Sequence, residues 1–400
     1  MNKTKSIDSD FWLRLEEASH FAQRTSRTHG PKNSIHTIYG YPARFSPFFA
    51  GESINLISDQ GDSILDPFAG SGTTLIEALR SRRRPVGLDL SPISAFIIER
   101  ILRATPWTTL AKAIEGSLGI IEEISNSKDE SKYLVGLWPD EHKEDSEFQA
   151  LWRILEEYVY RGSALKGEAA KLVKLIALSA GQAAIENRRA PISAPALITK
   201  LSELSIQIPN LLDAWNQSMI EIWGGTRWPE FTYFDHADAA TALPRISQRS
   251  ESQINAIVCS PPYPSVHMLY AKWQLRGRKE THLPAYIVGD GARPEAFYTL
   301  GARGARSEDY FGATFEIASQ LNNVLKDDGL MIQMLGFRDV HTQLDKYLEC
   351  YFKAGFDLLE NPLSNSRDPI WRQVPSRKWH ASQRPEGDTS KEAVLVFKKR

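Results

Sequence analysis

The sequence predicts an α/β fold in which a doubly wound sheet is interrupted by a helical insertion. Short apolar strands alternate with helices on both sides of a central block in which helical periodicity dominates. A glycine-rich turn follows the first predicted strand, and a double-proline turn follows a later one. We therefore expect residues 36–103 and 229–400 to form one domain around the sheet, with an N-terminal helical segment at 1–35 and a helical insertion at 104–228.

The individual strands and helices are predicted from local apolar patterns and from capping and proline residues. Asp10 is predicted to cap a helix at 11–24, and Pro92 to open another, because the first helical turn does not need the N–H that proline lacks. Further strands are predicted at 64–65, 85–88, 231–234, 254–258, 329–334, 356–359 and 393–397. Further helices are predicted at 73–81, 148–160, 168–187, 194–204 and 341–354.

The composition is that of an ordinary globular protein, with 400 residues, 42% hydrophobic residues and a net charge of −1. No apolar run approaches the roughly 18 residues of a membrane-spanning helix, and the first residues lack the apolar stretch of a secretory signal. Cys259 and Cys350 are the only cysteines, too few for a disulfide framework or a cysteine-based metal site. We therefore expect a cytoplasmic protein without a metal centre.

Basic residues cluster locally although the net charge is close to zero, and local distribution matters more for a nucleic-acid partner than the sum. The three clusters are Arg80, Arg82, Arg83 and Arg84; Lys272, Arg276, Arg278 and Lys279; and Arg372, Arg377, Lys378 and Arg384. Each cluster is either a solvated surface or a set of phosphate contacts. The third is interleaved with Trp371, Trp379 and His380, which suit stacking on bases.

The segment from Asp66 to Thr74, DPFAGSGTT, lies between a predicted strand and a predicted helix. Glycine permits positive φ and carries no Cβ, so a ligand can approach the backbone closely there. Asp89 ends the next strand, 19 residues after Gly70, where an acidic residue can accept hydrogen bonds from ribose hydroxyls. The spacing matches neither the lysine-containing phosphate loop nor the full GxGxxG of nicotinamide dinucleotide enzymes. A tight turn without a ligand is the alternative.

The segment Ser260-Pro261-Pro262-Tyr263 follows a predicted buried strand directly. Two prolines make a stiff loop at the carboxyl end of the strand, where open α/β sheets place their ligands. The Ser260 hydroxyl and the Pro261 carbonyl are hydrogen-bond acceptors that can hold the two hydrogens of an amino group and free its lone pair for attack on a methyl group. The alternative is a strand-ending proline turn with a tyrosine packed beside it.

Together these residues resemble the DNA amino-methyltransferases, which modify cytosine N4 or adenine N6. The resemblance implies a Rossmann-like sheet that binds S-adenosylmethionine, and it extends to His36 and to the segment 41–45, which would cover the methionine end of the cofactor. Asp89 would hold the ribose, and Asp238 would accept from the adenine amine. The cofactor-binding residues that the resemblance implies are Tyr41, Pro42, Asp66, Pro67, Phe68, Gly70, Ser71, Gly72, Thr73, Asp89 and Asp238.

The resemblance also implies that Ser260, Pro261, Pro262 and Tyr263 form the catalytic motif, with Tyr263 stacking on a base that has left the duplex. In this family a serine before Pro-Pro-Tyr is seen mostly in cytosine-N4 enzymes, so N4 is favoured over adenine N6. An RNA base methyltransferase and a non-catalytic DNA-binding subunit stay open. Cytosine-C5 chemistry needs a thiolate, and Cys259 is better interpreted as a buried core residue.

Double-stranded DNA is therefore the expected partner, together with a cognate restriction nuclease or another defence component. Three segments are candidates for target recognition: the helical insertion 104–228, the stretch 266–307 and the tail segment 367–384. The insertion also has a purely structural interpretation.

Overall fold

The computed structural model describes residues 7–24, 34–41, 46–126, 138–139, 141–186, 189–248, 253–264, 272–277, 279–289, 307–362, 369–373 and 391–400. The strands are β1 (Ser63–Asp66), β2 (Arg84–Asp89), β3 (Tyr233–His236), β4 (Ile254–Cys259), β5 (Trp273–Leu275), β6 (Lys279–Thr281), β7 (Leu325–Gly336), β8 (Phe356–Leu358), β9 (Ile370–Gln373) and β10 (Lys391–Lys399). The helices are α1 (Ser9–Arg24), α2 (Pro47–Ile57), α3 (Thr73–Arg80), α4 (Pro92–Ile101), α5 (Trp107–Asn126), α6 (Ser146–Gly162), α7 (Gly167–Ile185), α8 (Ala194–Trp223), α9 (Ala239–Ser247), α10 (Leu283–Val288), α11 (Ser307–Val324) and α12 (Val340–Lys353).

One mostly parallel sheet has the strand order β3-β2-β1-β4-β7-β10-β8, and β9 also pairs with β10. The strands from β3 to β7 run parallel, whereas β10 is antiparallel to β7, β8 and β9. The chain builds outward from β1 through β2 to β3 on one side, and from β4 to β7 on the other. The predicted doubly wound sheet is therefore confirmed, and its direction of winding reverses between β1 and β4, which is where such sheets bind ligands.

Helix starts follow local chemistry that the sequence displays. Pro92 occupies the first turn of α4 as predicted, after Ser91, whose hydroxyl accepts from the Ser94 N–H at 3.4 Å. The first helix begins at Ser9, and its cap is Asp8, which accepts from the Phe11 N–H at 3.1 Å. The prediction that Asp10 is the cap was wrong, because the helix starts two residues earlier than the apolar pattern alone indicates.

Two further predictions are corrected, and several elements were not predicted. Helix α8 was expected to end at 204 but runs for 30 residues, because the buried positions Leu212, Trp215 and Met219 continue its apolar stripe past Pro209. The strand expected at 231–234 begins at Tyr233, since residues 228–231 form a 3-10 turn. The elements that were not predicted are helices α2, α5, α9 and α10, strand β9 and the hairpin β5–β6.

The helical insertion shares an apolar core with the helices beside the sheet. One buried cluster joins Leu79 of α3 and Ile98 of α4 to residues of α5, α6, α7 and α8. Helix α8 is also anchored by two indole N–H groups: Trp215 donates to the Ile101 carbonyl at 2.8 Å, and Trp223 donates to the Leu79 carbonyl at 3.1 Å. The insertion is thus packed onto the sheet layer rather than attached to it by a linker. No helix in the described part of the chain is long and apolar enough to cross a membrane.

Candidate functional site

The glycine-rich turn after β1 has the backbone that its sequence predicts. Gly70 has φ +55°, and Gly72, which precedes α3, has φ +81°, a region that residues with a Cβ rarely adopt. A Cβ at Gly70 would lie 3.3 Å from the ring of Tyr41, and one at Gly72 would lie 3.2 Å from Ile98. Both positions therefore need glycine for conformation and for space.

Asp89, at the end of β2, holds the turn in place. Its Oδ2 accepts from the Gly70 N–H at 2.7 Å, and its Oδ1 accepts from the Ser91 N–H at 2.8 Å. Burial raises the pKa of the Asp89 carboxyl to about 6, although these two hydrogen bonds favour the ionised form. Each carboxylate oxygen keeps a second lone pair, which can accept from a ligand hydroxyl.

Asp66, Ser71 and Thr73 complete the turn on its buried side. Asp66 accepts from the Phe68 N–H at 3.0 Å, and burial raises the pKa of its carboxyl to about 7. The buried hydroxyls of Ser71 and Thr73 have no hydrogen-bond partner among the described residues. Buried polar groups are normally satisfied, so these hydroxyls fit a turn that receives a polar ligand.

Tyr41 lies over the glycine-rich turn. Its ring faces Gly70, and its hydroxyl accepts from the Ser94 hydroxyl at 2.8 Å, which ties it to α4. Pro42, the neighbouring predicted site residue, lies outside the described residues, as do 43–45. His36 is buried, and its Nε2 lies 2.6 Å from Glu77 Oε1 on α3. Through Nε2, His36 thus binds the segment before the sheet to α3, and this nitrogen does not contact the glycine-rich turn.

The segment that carries Tyr41 is held by the helical insertion. Gly40 and Gln182 of α7 exchange two hydrogen bonds of 2.8 Å, from the Gly40 N–H to Oε1 and from Nε2 to the Gly40 carbonyl. Ser179, one turn earlier, donates to the Ile38 carbonyl at 2.6 Å. Sequence reasoning missed Gln182 and Ser179, since nothing in a helical pattern indicates which polar residue reaches a segment about 140 positions away.

Asp238 follows β3 at the same edge of the sheet. The Ala237 N–H donates to the Asp89 carbonyl at 3.0 Å, so the turns after β2 and β3 are joined. The Asp238 Oδ1 accepts from the Ala240 N–H at 2.8 Å and caps α9. The structure thus places Asp238 beside the Asp89 turn and assigns one of its oxygens to helix capping, while its predicted contact with an adenine amine stays a prediction.

The Ser-Pro-Pro-Tyr turn after β4 lies next to the glycine-rich turn. Phe68 of the first turn lines the same narrow cavity, of about 20 Å³, as Pro261 and Pro262 of the second. The opposite walls come from α11 and α12, and Tyr310 of α11 donates to the Pro262 carbonyl at 2.7 Å. The Thr74 hydroxyl adds a link by donating to the Val258 carbonyl of β4 at 3.3 Å. The two motifs predicted from sequence therefore meet at the point where the sheet reverses direction.

Tyr263 is buried, with 2% of its surface exposed. Its ring lies against Gly336, where a Cβ would come within 3.1 Å, and its hydroxyl donates to Glu392 Oε1 at 2.8 Å. The Ser260 hydroxyl lies 3.5 Å from the Tyr263 hydroxyl. Stacking of a base on Tyr263 therefore requires the surroundings of the ring to open, and that predicted role remains untested.

Cys259 is a core residue, as predicted. It is buried at the end of β4, and burial raises the pKa of its thiol well above the ordinary value. Its sulfur lies 3.6 Å from the amide nitrogen of Gln333, which also donates to the Tyr351 hydroxyl at 2.8 Å. A thiol kept protonated in this way is a poor nucleophile, which argues against cytosine-C5 chemistry.

The described members of the basic clusters are largely paired within the chain. Arg276 binds Asp145 and Glu147, which lowers the pKa of the Asp145 carboxyl to about 2. Arg83 is buried against the backbone and hydroxyl of Ser58. Further ion pairs join Lys279 to Glu144, Lys272 to Glu280, Arg80 to Glu77 and Arg372 to Glu392. Of the two interpretations left open for these clusters, internal pairing favours a surface role over phosphate contacts for the described members. Outside the described residues lie Arg278, Arg377, Lys378, Trp379, His380 and Arg384.

Comparison with known proteins gives a family match over the first part of the chain. Residues 2–99 match the family model described as DNA methylase, N6_N4_Mtase. The chain is 30% identical over 175 residues to the type II methyltransferase M.BsoBI of Geobacillus stearothermophilus, covering 41% of this chain and 32% of that protein. It is 29% identical over 100 residues to the type II methyltransferase M.MjaII of Methanocaldococcus jannaschii, covering 25% of this chain and 19% of that protein. The matches thus span about a fifth to a third of these relatives' length.

Among solved structures, the chain resembles the rRNA methyltransferase aviRa from Streptomyces viridochromogenes at a TM-score of 0.35 and 11% identity, over 93% of this chain and 92% of that chain. A TM-score of this size carries no argument about the site. The fold assignment rests on the strand order and directions described above.

Proposed function

We propose, from the match of residues 2–99 to the DNA methylase family and the partial similarity to type II methyltransferases, that this chain transfers a methyl group from S-adenosylmethionine to the exocyclic N4 of a cytosine in double-stranded DNA. The observation that carries the proposal is the meeting of two turns at the switch point between β1 and β4, where Phe68, Pro261 and Pro262 line one cavity. One turn has the features of a ligand-binding glycine loop, and the other presents hydrogen-bond acceptors.

The first turn is the proposed cofactor site. The second lone pairs of Asp89 would accept from ribose hydroxyls, and the unpartnered hydroxyls of Ser71 and Thr73 would contact polar groups of the same molecule. Tyr41 would cover the other side, and Asp238 would meet the adenine. When bound, S-adenosylmethionine supplies a methyl group on a positively charged sulfur, and no protein nucleophile is needed.

The second turn is the proposed target site. The lone pair of an exocyclic amine is delocalised into the base ring, so the free amine is a poor nucleophile. The Ser260 hydroxyl and the Pro261 carbonyl would accept its two hydrogens and favour the geometry in which the lone pair is available. The stiffness that two prolines give this turn keeps both acceptors in place without a reorganisation cost.

The choice of cytosine N4 rests on the serine at position 260, through the family resemblance, and adenine N6 is the alternative. Among the segments considered for target recognition, the tail segment 367–384 is favoured. Strand β9 ends at Gln373, and β10 begins opposite it at Lys391. This start of β10 lies next to Gly336, the last residue of β7. The chain therefore leaves and re-enters the sheet at the edge that carries the proposed site. A cognate restriction nuclease is part of the proposal because the relatives are named type II methyltransferases.

Mass spectrometry of nucleosides tests this function. DNA from a methylation-deficient bacterial host that expresses the protein should contain N4-methylcytosine, and DNA from a host that expresses Ser260→Ala should not. N6-methyladenine in its place would keep the mechanism and change the target base. No modified base in DNA would contradict the proposal and favour an RNA substrate or a non-catalytic subunit.

A further inference from the structure

We infer that the buried pair Glu392–Arg372 fixes the hydrogen-bond polarity of the Ser260 hydroxyl, through Tyr263, so that Ser260 acts as an acceptor toward the target amine. This inference rests on the proposed function and makes Glu392 and Arg372 positioning residues of that site. Neither residue belongs to the Ser-Pro-Pro-Tyr motif.

The pair lies directly behind the catalytic turn. Glu392 on β10 is opposite Arg372 on β9 and opposite Gly336 on β7, against which the ring of Tyr263 packs. Arg372 donates from Nε and Nη2 to Glu392 Oε2, both at 2.6 Å, while Glu392 Oε1 accepts from the Tyr263 hydroxyl at 2.8 Å. Glu392, Arg372 and Tyr263 are all nearly inaccessible to water.

The hydrogen bonds that link Arg372, Glu392 and Tyr263 have only one possible donor and acceptor at each step. Guanidinium has donors only, and an ionised carboxylate has acceptors only, so the single hydroxyl hydrogen of Tyr263 points to Glu392. The lone pairs of the Tyr263 oxygen then remain for Ser260, whose hydroxyl lies 3.5 Å away. Contacts of this length in a ligand-free site commonly shorten in the reacting complex.

The consequence concerns Ser260. A serine hydroxyl can donate or accept, and only an acceptor can hold the N–H of an amine. With its own hydrogen directed to Tyr263, Ser260 presents lone pairs to the target. The Nη1 of Arg372 has no partner among the described residues, so within that part of the chain Glu392 receives all the hydrogen bonds that the guanidinium makes.

Glu392→Gln reverses this polarity while it keeps the shape of the side chain. Arg372 requires an acceptor, so the amide oxygen would face Arg372 and the amide NH₂ would face Tyr263. Tyr263 would then accept from Gln and donate to Ser260, whose own hydrogen would be turned toward the amine. We expect the single-turnover rate of methyl transfer to fall roughly 10- to 100-fold, the range for a hydrogen bond to a charged group.

Tyr263→Phe gives the decisive comparison, because it removes the hydroxyl and leaves Ser260 free to rotate. Its rate should fall by less than that of Glu392→Gln, and the double variant should be faster than Glu392→Gln alone. A purely structural role of Glu392 would give a double variant no faster than Glu392→Gln, because removing the Tyr263 hydroxyl would then restore nothing at Ser260. The affinity for S-adenosylhomocysteine and for DNA should stay within about twofold of wild type in each variant.

Glu349→Gln is the matched control, since Glu349 forms an exposed ion pair with Lys353 on α12 and should keep the wild-type rate. Equal rates for Glu392→Gln and wild type would overturn the inference, as would a double variant slower than Glu392→Gln. If Glu392→Gln does not fold, an unchanged rate in Tyr263→Phe would overturn it. A wild-type protein without transfer to DNA would instead overturn the proposed function, and the inference with it.

Discussion

Two buried aspartates dominate the electrostatics of the glycine-rich turn. Burial raises the pKa of the Asp89 carboxyl to about 6 and that of Asp66 to about 7, because the charged form is poorly solvated there. The ionised form of Asp89 accepts most strongly from the Gly70 N–H, from the Ser91 N–H and from a ribose hydroxyl, because hydrogen bonds to a charged acceptor are stronger than those to a neutral one. Protonation of Asp89 therefore weakens the hydrogen bonds that hold the turn, at a pH where an ordinary aspartate is still charged.

We predict that affinity for S-adenosylhomocysteine falls as the pH drops through about 6, by up to about tenfold per pH unit below that value. The sign follows because a pKa raised in the free protein makes the acceptor form scarcer at low pH. Calorimetric titration between pH 5 and 8 measures the effect. Asp89→Asn should bind weakly without the inflection, and Asp66→Asn should retain it; an inflection that persists in Asp89→Asn would contradict the assignment.

Single residues were predictable from sequence where their role follows from local backbone chemistry. Gly70 and Gly72 are required by positive φ, and Pro261 and Pro262 by the stiffness of a short turn, so both motifs are visible in contiguous residues. Glu392 was not predictable, because its contact with Tyr263 spans 129 residues and exists only after β10 pairs with β7. The same reason hides the ion pairs that neutralise Arg276, whose partners lie in a segment about 130 residues earlier.

At the level of elements, α7 supports the site without contributing a motif. Its Gln182 exchanges two hydrogen bonds with Gly40, and the next residue, Tyr41, covers the glycine-rich turn. The insertion to which α7 belongs thereby positions the proposed cofactor cover. This observation favours a structural role for the insertion over one in target recognition.

Gln182→Ala should raise the dissociation constant for S-adenosylhomocysteine by roughly 3- to 10-fold, since it removes two hydrogen bonds that fix the backbone at Gly40. The rate of methyl transfer at saturating cofactor should change little. Gln217→Ala, at an exposed position of α8 in the same insertion, is the matched control and should bind as wild type does. Equal affinities of the two variants would show that α7 does not position Tyr41.

Elements with strong patterns were predicted well, and those that depend on tertiary packing were not. Strands β1, β2 and β4 and helix α3 lie close to their predicted bounds, and α4 begins at its predicted residue, because each combines an apolar run with a glycine, proline or serine signal at its end. The predicted range of helix α8 was too short. A proline such as Pro209 disfavours a helix locally, and only the packing of α8 on α5 and α7 shows that its buried positions continue beyond it. Strand β9 has four residues and is defined by its pairing with β10.

For the whole molecule, the order of strands explains why two motifs almost 190 residues apart lie side by side. Strands β1 and β4 are adjacent and parallel, so the turns that follow them emerge at the same edge of the sheet. The insertion does not separate them, because its helices join the apolar cluster beside α3 and α4. We therefore propose that the turn after β1 binds the cofactor and that the turn after β4 carries the chemistry.

The rate of methyl transfer by Ser260→Ala, at saturating labelled S-adenosylmethionine with double-stranded genomic DNA, tests that division most directly. We predict a rate at least about 100-fold below that of wild type, comparable with loss of one positioned polar group in an active site. The dissociation constant for S-adenosylhomocysteine should stay within about twofold of wild type, because Ser260 lies outside the cofactor turn. A rate close to that of wild type, or an equal loss of rate and affinity, would contradict the assignment of the two turns.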